Sequence, residues 1–592
     1  MKKHTVTLYA LAMVAGAPFA AQGQESAKDS TLNRELLLEK EYNPIVRDAD
    51  KINKLPEVEA PRANKTQIVY SDLSVQATPT AEANTLTAGD IRTTYDFSKK
   101  RGYLNLSGGN YLNLNGNLGY RFIDSQKAVF GIELEHQSAS GTVDYIDFNG
   151  DTKQKINDNH ANLYYRHFFK NFKLNTNLAF DYNRFNYYGY AAAVNASDQE
   201  AVSFDAEMQN RQRLTFVIGG ESIREAEWMY KTNFGFNYFN DDYSLLKETT
   251  VDLGFGLSKQ MGDNWKAGGD ASLQMLFYGI KDPVESFRTR AEYESAGLMR
   301  FTPYVDFKSD NGIALKLGLN ADFAYGTKPY FGISPDIRFD ARVADGFFLY
   351  ADWIGGMKQQ SVSDITRTHR YFQPVSQHKN SYTLTDFTLG MRSNRVAGFW
   401  FDIYGGYAYT KNELGYYTQI TTMQQTGGKN PSEGMAVANG VNSLASMVQD
   451  VNHWKLGVNL KYSYGKIFEG GLKVQKNGWS VKDKGEGVEA INAYRPGLEA
   501  SLDLMLRPTE QLVFDLNYNL FAQRDYAVLL KETVLTGKAD AVNQLNLKGT
   551  YLFNDTFALS AGVYNLLFQK YDLWYGMPNQ GFSFQVGGSI RF

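Results

Sequence analysis

The sequence contains no cysteine in 592 residues. That removes disulfide staples, thiolate metal sites and a cysteine nucleophile. No apolar run reaches about 18 residues, so no membrane-spanning helix can be drawn along the chain. The formal net charge is only -3, which leaves no basic footprint for nucleic acid. No GxSxG, Walker or GxGxxG context occurs. The 7 histidines show neither an HExxH motif nor a paired spacing.

What the chain does have is aromatic residues, 39 Tyr and 38 Phe, in a sequence that is polar on average. A transmembrane β-barrel reconciles the two, because only every second strand residue faces lipid and hydropathy averages out. Phe582 to Phe592 states the pattern. Phe582, Phe584, Val586, Gly588, Ile590 and Phe592 fall on one face, and Ser583, Gln585, Gly587, Ser589 and Arg591 on the other. That is the period of a strand with one apolar and one polar side.

The start of the chain reads as an export signal. Lys2, Lys3 and His4 precede the mainly apolar Val6 to Ala17, and Ala21-Gln22-Gly23 supplies small residues for cleavage between Gly23 and Gln24. This fits a secretory signal and is too short to span a bilayer. Residues 24–95 are rich in Lys, Glu, Asp and Asn, with Pro44, Pro56, Pro61 and Pro79 as punctuation. Leu32 to Glu41 can form a short helix ended by Asn43-Pro44, and Thr66 to Val75 is strand-like. The segment is expected to be a periplasmic leader or partial plug.

From residue 96 to the end the texture changes to strands. Tyr111–Phe122, Ile313–Phe323, Leu512–Phe521 and Leu545–Phe553 all alternate, with Arg121, Lys316, Asp322, Asp515 and Lys548 on the polar face. These five are candidates for a water-filled lumen. Tight turns fall near residues 124–126, 170–171, 224–227, 262–264, 309–311, 344–345, 396–397, 464–466, 508–510 and 554–555. Longer polar stretches lie between them, at 140–156, 189–208, 281–296, 358–379, 411–448, 477–489, 525–541 and 569–580, and Ser107 to Gly109 makes a tight hairpin on the long-loop side. About ten short turns, with both termini on their side, predict an antiparallel barrel of roughly 22 strands. Pro303, Pro335 and Pro496 conflict with central strands; Pro303 is expected at a bulge and the other two towards strand ends.

Candidate chemistry is sparse. His136, His160 and His167 lie on neighbouring strands, Asp147-Phe148-Asn149-Gly150-Asp151 has turn and calcium-loop composition alike, and His369 lies near Ser361 and Ser363. None forms a catalytic pattern, so no enzyme, cofactor or metal is expected. Loop 411–448 is expected either to close the outer mouth or to bind a partner.

The carboxy-terminal Val563–Phe592 resembles the end of TonB-dependent outer-membrane receptors. The resemblance rests on Asn565-Leu566-Leu567-Phe568, Lys570-Tyr571, then Pro578 and Gly581 leading into the strand that ends at Phe592. It implies a 22-stranded barrel, transport of a bulky solute and coupling to TonB. Members of that family carry a larger folded plug than residues 24–95 can make, so the chain departs from the pattern there. Gln67-Ile68-Val69-Tyr70 is the segment nearest a TonB box. The alternative is a non-transporting scaffold or assembly component that docks envelope proteins. The expected surroundings are outer-membrane lipid, the barrel-assembly machinery that reads Phe582, Phe584, Val586, Ile590 and Phe592, and TonB or a surface lipoprotein.

Overall fold

A computed structural model describes residues 100–592 except 147–149, 190–207, 224–226, 281–292, 327–328, 375–378, 394–397, 424–438, 483–493 and 531–532. The cleavage pair Gly23 and Gln24, the leader 24–95, the Gln67–Tyr70 segment and Asp147–Asn149 all lie outside the described residues.

Alternating side chains and ladder hydrogen bonds produce a closed antiparallel barrel of 22 strands. Each strand pairs with its sequence neighbour along nearly the whole chain. Closure is made by the first strand, Gly102–Gly109, and the last, Ser583–Arg591, from Tyr103 opposite Arg591 to Gly109 opposite Gln585. The Gly102 and Phe592 backbones exchange hydrogen bonds of 2.7 and 2.9 Å. No sheet edge is left for lipid to meet, which a spanning sheet requires.

Leu134, Phe180, Leu317, Leu389 and Val586 are exposed on the outer face. In water such a surface would be an aggregation site, and in a bilayer it is the solvated one. Near the short turns the outward rings touch across strands. Phe592 meets Tyr120 at 6.1 Å, Tyr120 meets Phe122 at 5.1 Å and Phe122 meets Phe130 at 5.3 Å. Trp265 with Phe307 (4.7 Å) and Tyr551 with Phe553 (4.9 Å) continue the belt elsewhere. Such a girdle marks a membrane interface.

The short turns separate strands at one end, apart from 396–397 and 224–226, which lie outside the described residues. Two tight connections at the other end, after Asp241 and after Tyr325, were not legible as loops. Pro303 sits mid-strand opposite Gly269 in an unshifted register, not at a bulge. The ladder to the following strand simply skips Thr302 and Pro303. Pro335 is tolerated because pairing with the next strand begins only at Asp336. Segment 411–448 is mostly not a loop, since Phe399–Met423 and Asn439–Tyr464 form one hairpin with strands of 25 and 26 residues. Segment 525–541 likewise is a hairpin, Arg524–Leu530 with Thr533–Ala539. Among the described residues one short helix, α1 (Val362–Thr368), interrupts the strand series.

Candidate functional site: the long-loop mouth and the lumen

The principal hydrophobic core lies at the long-loop mouth. Phe185, Tyr187, Tyr188, Phe239, Tyr371, Phe372, Tyr416, Leu444, Tyr494 and Trp574 form one buried cluster there. Three excursions bring them together. The first is the turn of chain around α1. The second is the upper part of the long hairpin, which bends where the register shifts between Thr410 and Glu413. Asn412 takes a left-handed φ of 51° at that bulge and its N–H donates to Asp450 (3.0 Å). A bulge bends a hairpin in this way. The third is segment 565–582, whose strands Asp572–Trp574 and Met577–Pro578 pair with each other.

Polar side chains on the barrel wall anchor these excursions. Ser361 caps α1 by accepting from the Asp364 N–H (3.2 Å). The same hydroxyl donates to Glu248 (2.5 Å), and the Val362 and Ser363 N–H groups donate to that carboxylate at 2.7 and 3.3 Å. A carboxylate is the natural partner for the orphan donors of a helix start. Glu248 is 0% exposed, so this bonding replaces its lost hydration. Arg213 donates to the Ser363 carbonyl (2.7 Å) and hydroxyl (2.8 Å) and lies over Phe239 at 5.2 Å. Arg211 donates to the Phe372 carbonyl (2.7 Å) and lies over Phe185 at 4.9 Å. Arg524, 1% exposed, holds the carbonyls of Leu573 (2.9 Å) and Asp572 (3.2 Å).

Buried phenols complete the contact. Thr418 and Tyr494 hydroxyls lie 2.6 Å apart, and Tyr188 donates to the Pro578 carbonyl (3.0 Å). Burial pushes the Tyr571 phenol up to about 12, and raises Tyr188 and Tyr494 above their ordinary value for the same reason. Sequence reasoning missed Glu248, Arg211, Arg213 and Arg524. The available signal was the Arg211-x-Arg213 spacing, which sets two large cations on one strand face.

Below this cap the inner wall is polar, and several of its charges are paired. Lys316 meets Asp336 at 2.5 Å, Asp322 meets Arg300 at 2.6 Å and Lys266 meets Asp306 at 2.7 Å. Asp515 and Lys548 stand opposite each other in the ladder, and Arg121 pairs with Asp124 at 2.9 Å. Alternation places these side chains on the face opposite the exposed apolar ones.

The other candidates do not assemble. His136 bonds Asn159 (2.8 Å) while His160 bonds Asp181 (2.6 Å); they occupy opposite faces of their strands. Ser361 and Ser363 are engaged as above, and the His369 ring packs on Tyr416 at 4.1 Å. Among the described residues no group of three or more His, Asp and Glu is placed to hold a metal. In the closing strand Phe584, Val586, Ile590 and Phe592 are exposed on the outer face, and Phe582 stacks on Phe568 at 4.7 Å.

A wide, closed 22-stranded barrel with a polar inner wall and a folded mouth has the architecture of a large outer-membrane barrel. No protein-family model matches the sequence, and no curated protein does. Solved structures do resemble it. The FrpB iron transporter from Neisseria meningitidis is 9% identical with a TM-score of 0.62, covering 84% of this chain and 83% of its own. The pyoverdine receptor FpvA from Pseudomonas aeruginosa is 10% identical with a TM-score of 0.59, covering 85% and 80%. The copper transporter OprC is 11% identical with a TM-score of 0.57, covering 85% and 82%. The barrel thus has the TonB-dependent receptor fold that the carboxy-terminal resemblance implied.

Proposed function

We propose that the protein is an outer-membrane transport barrel that admits a bulky solute through a mouth closed by its own loops. The observation that supports this most is the buried core of inward-folded segments over a lumen with paired charges. A barrel of 22 strands needs something to fill or close it. Here the α1 segment and 565–582 do so at the long-loop end. The ion pairs on the wall suit a neutral or zwitterionic solute, because a paired charge presents little single-sign field. Arg121, Lys316, Asp322, Asp515 and Lys548 line the path. TonB is the proposed energy source through Gln67–Tyr70, and the protein is not an enzyme.

The test is single-channel conductance of the purified full chain and of a variant in which residues 361–373 are replaced by a short Gly/Ser link. The wild type stays mostly closed and the variant conducts steadily. Equal conductance in both removes the loop from gating. A scaffold role is the second reading, favoured by the hairpin of 25- and 26-residue strands at the mouth. It predicts an envelope protein that co-purifies with the barrel and is lost when that hairpin is shortened.

A further inference from the structure

The wall is lowest where the barrel closes. Phe557–Tyr564, Ser583–Arg591, Gly102–Gly109 and Leu114–Asp124 have 8, 9, 8 and 11 residues, and the next strand, Ala128–Asp144, has 17. Crossing a bilayer takes about 9–11 tilted strand residues, so the rim of this notch lies at the outer boundary of the membrane and not above it. Its fringe is apolar. Leu112 is 74% exposed and Phe568 66%, Leu567 is exposed beside them, and Phe582 stacks on Phe568. Tyr111, Leu112, Asn565 and Phe568 all adopt left-handed φ of 47–54°. Such backbone persists only where its surroundings enforce it.

Immediately inside, lined by Asn113, Asn565 and Gly581, is a recess of about 60 Å³, room for a few water molecules or one small ring. Gln137, Gln154, Gln544, Asn579 and Gln580 line it with amides, and Tyr371 offers a ring. Among the described residues the one cation lining it is Arg370, which pairs with Asp158. Two buried polar atoms there lack a protein partner: the Gln154 amide oxygen, on a side chain 6% exposed, and Nη1 of Arg370. Buried polar atoms of this kind ordinarily find one.

We propose that this notch binds an amphiphile drawn from the outer leaflet. Its uncharged, hydroxyl-bearing head group sits among the amides and its acyl chains lie over Leu112, Leu567 and Phe568. The chemistry is that of a neutral glycolipid. An anionic head group would meet a guanidinium whose charge Asp158 already balances, and a free sugar would leave the apolar fringe unused. This binding does not depend on transport, so its failure would leave the conductance reading untouched.

The experiment is native mass spectrometry of the full chain in detergent with monogalactosyl diacylglycerol, free galactose or phosphatidylglycerol. The glycolipid binds, and the other two bind at least ~10-fold more weakly, about 1.4 kcal/mol. Leu112→Asp with Phe568→Asp, and separately Gln154→Leu with Gln544→Leu, each weaken glycolipid binding by a similar factor. Leu112→Ser, a smaller change at a loop tip, gives a partial loss and covers the case in which the double variants fail to fold. Equal binding of phosphatidylglycerol, equal binding of galactose, or unchanged affinity in Leu112→Ser would overturn the proposal.

Discussion

At the short-turn end the rings of Tyr120, Phe122 and Phe592 point outward and touch one another across strands. At the long-loop end the rings of Tyr187, Tyr371 and Trp574 turn inward and join a buried core. The same residue types do opposite work because the solvent differs. Lipid on the outside rewards aromatic rings at the interface, whereas at the mouth the only dry place is between the inward-folded loops themselves. One end is fixed by the membrane and the other by packing that can in principle open.

The strongest way to break this comparison is at the belt. Phe592→Asp places a charge at the interface and removes the ring that packs on Tyr120 and caps the closing pair. Insertion is expected to fail, seen as loss of the heat-modifiable band; normal insertion would show that the carboxy-terminal ring is dispensable. Next comes the cap core. Trp574→Ala empties a fully packed site touching Tyr494 at 4.3 Å and His369 at 5.2 Å, at a cost of ~3–5 kcal/mol. Because that loss falls on the mouth, protease access to the α1 segment should rise while heat-modifiability stays.

A smaller effect is expected from pH. Tyr188, Tyr494 and Tyr571 have raised folded-state values, Tyr571 up to about 12, against about 10 when solvated. The cap is therefore at full strength below pH about 10 and weakens as pH rises from there towards 12. Conductance recorded with tyrosinate absorbance should increase across that window, and a flat record would separate the phenols from closure. Least of all, Lys316→Ala removes one pair on a wetted wall, worth ~0–1 kcal/mol. Thermal stability should barely move, and a large drop would mean the pair is far drier than its position suggests.

The barrel was legible in the sequence because a membrane enforces period two on every spanning strand and leaves the short turns few residues to hide in. The alternation in Ile313–Phe323 carries over directly to the strand Ile313–Tyr325, with Leu317, Leu319 and Phe323 exposed. The mouth was not legible. Arg211, Arg213 and Glu248 occupy inward positions like any lumen residue, and nothing in the local pattern says that each meets a backbone from across the barrel. Helix α1 has 7 residues, too few for a helical period to stand out. Residues 411–448 read as a loop because uncharged Tyr, Gln and Thr on both faces blur the alternation, as expected of a hairpin folded over a mouth with no lipid on either side.

The most direct test of loop closure is a tether. The chain has no cysteine of its own, so Asn237→Cys with Ser363→Cys introduces a single pair, at side chains now 3.0 Å apart, joining α1 to the wall. Single-channel conductance should show openings when the pair is reduced and none when it is oxidised. Equal conductance in both states would contradict the account, because solute would then pass without the α1 segment leaving the wall.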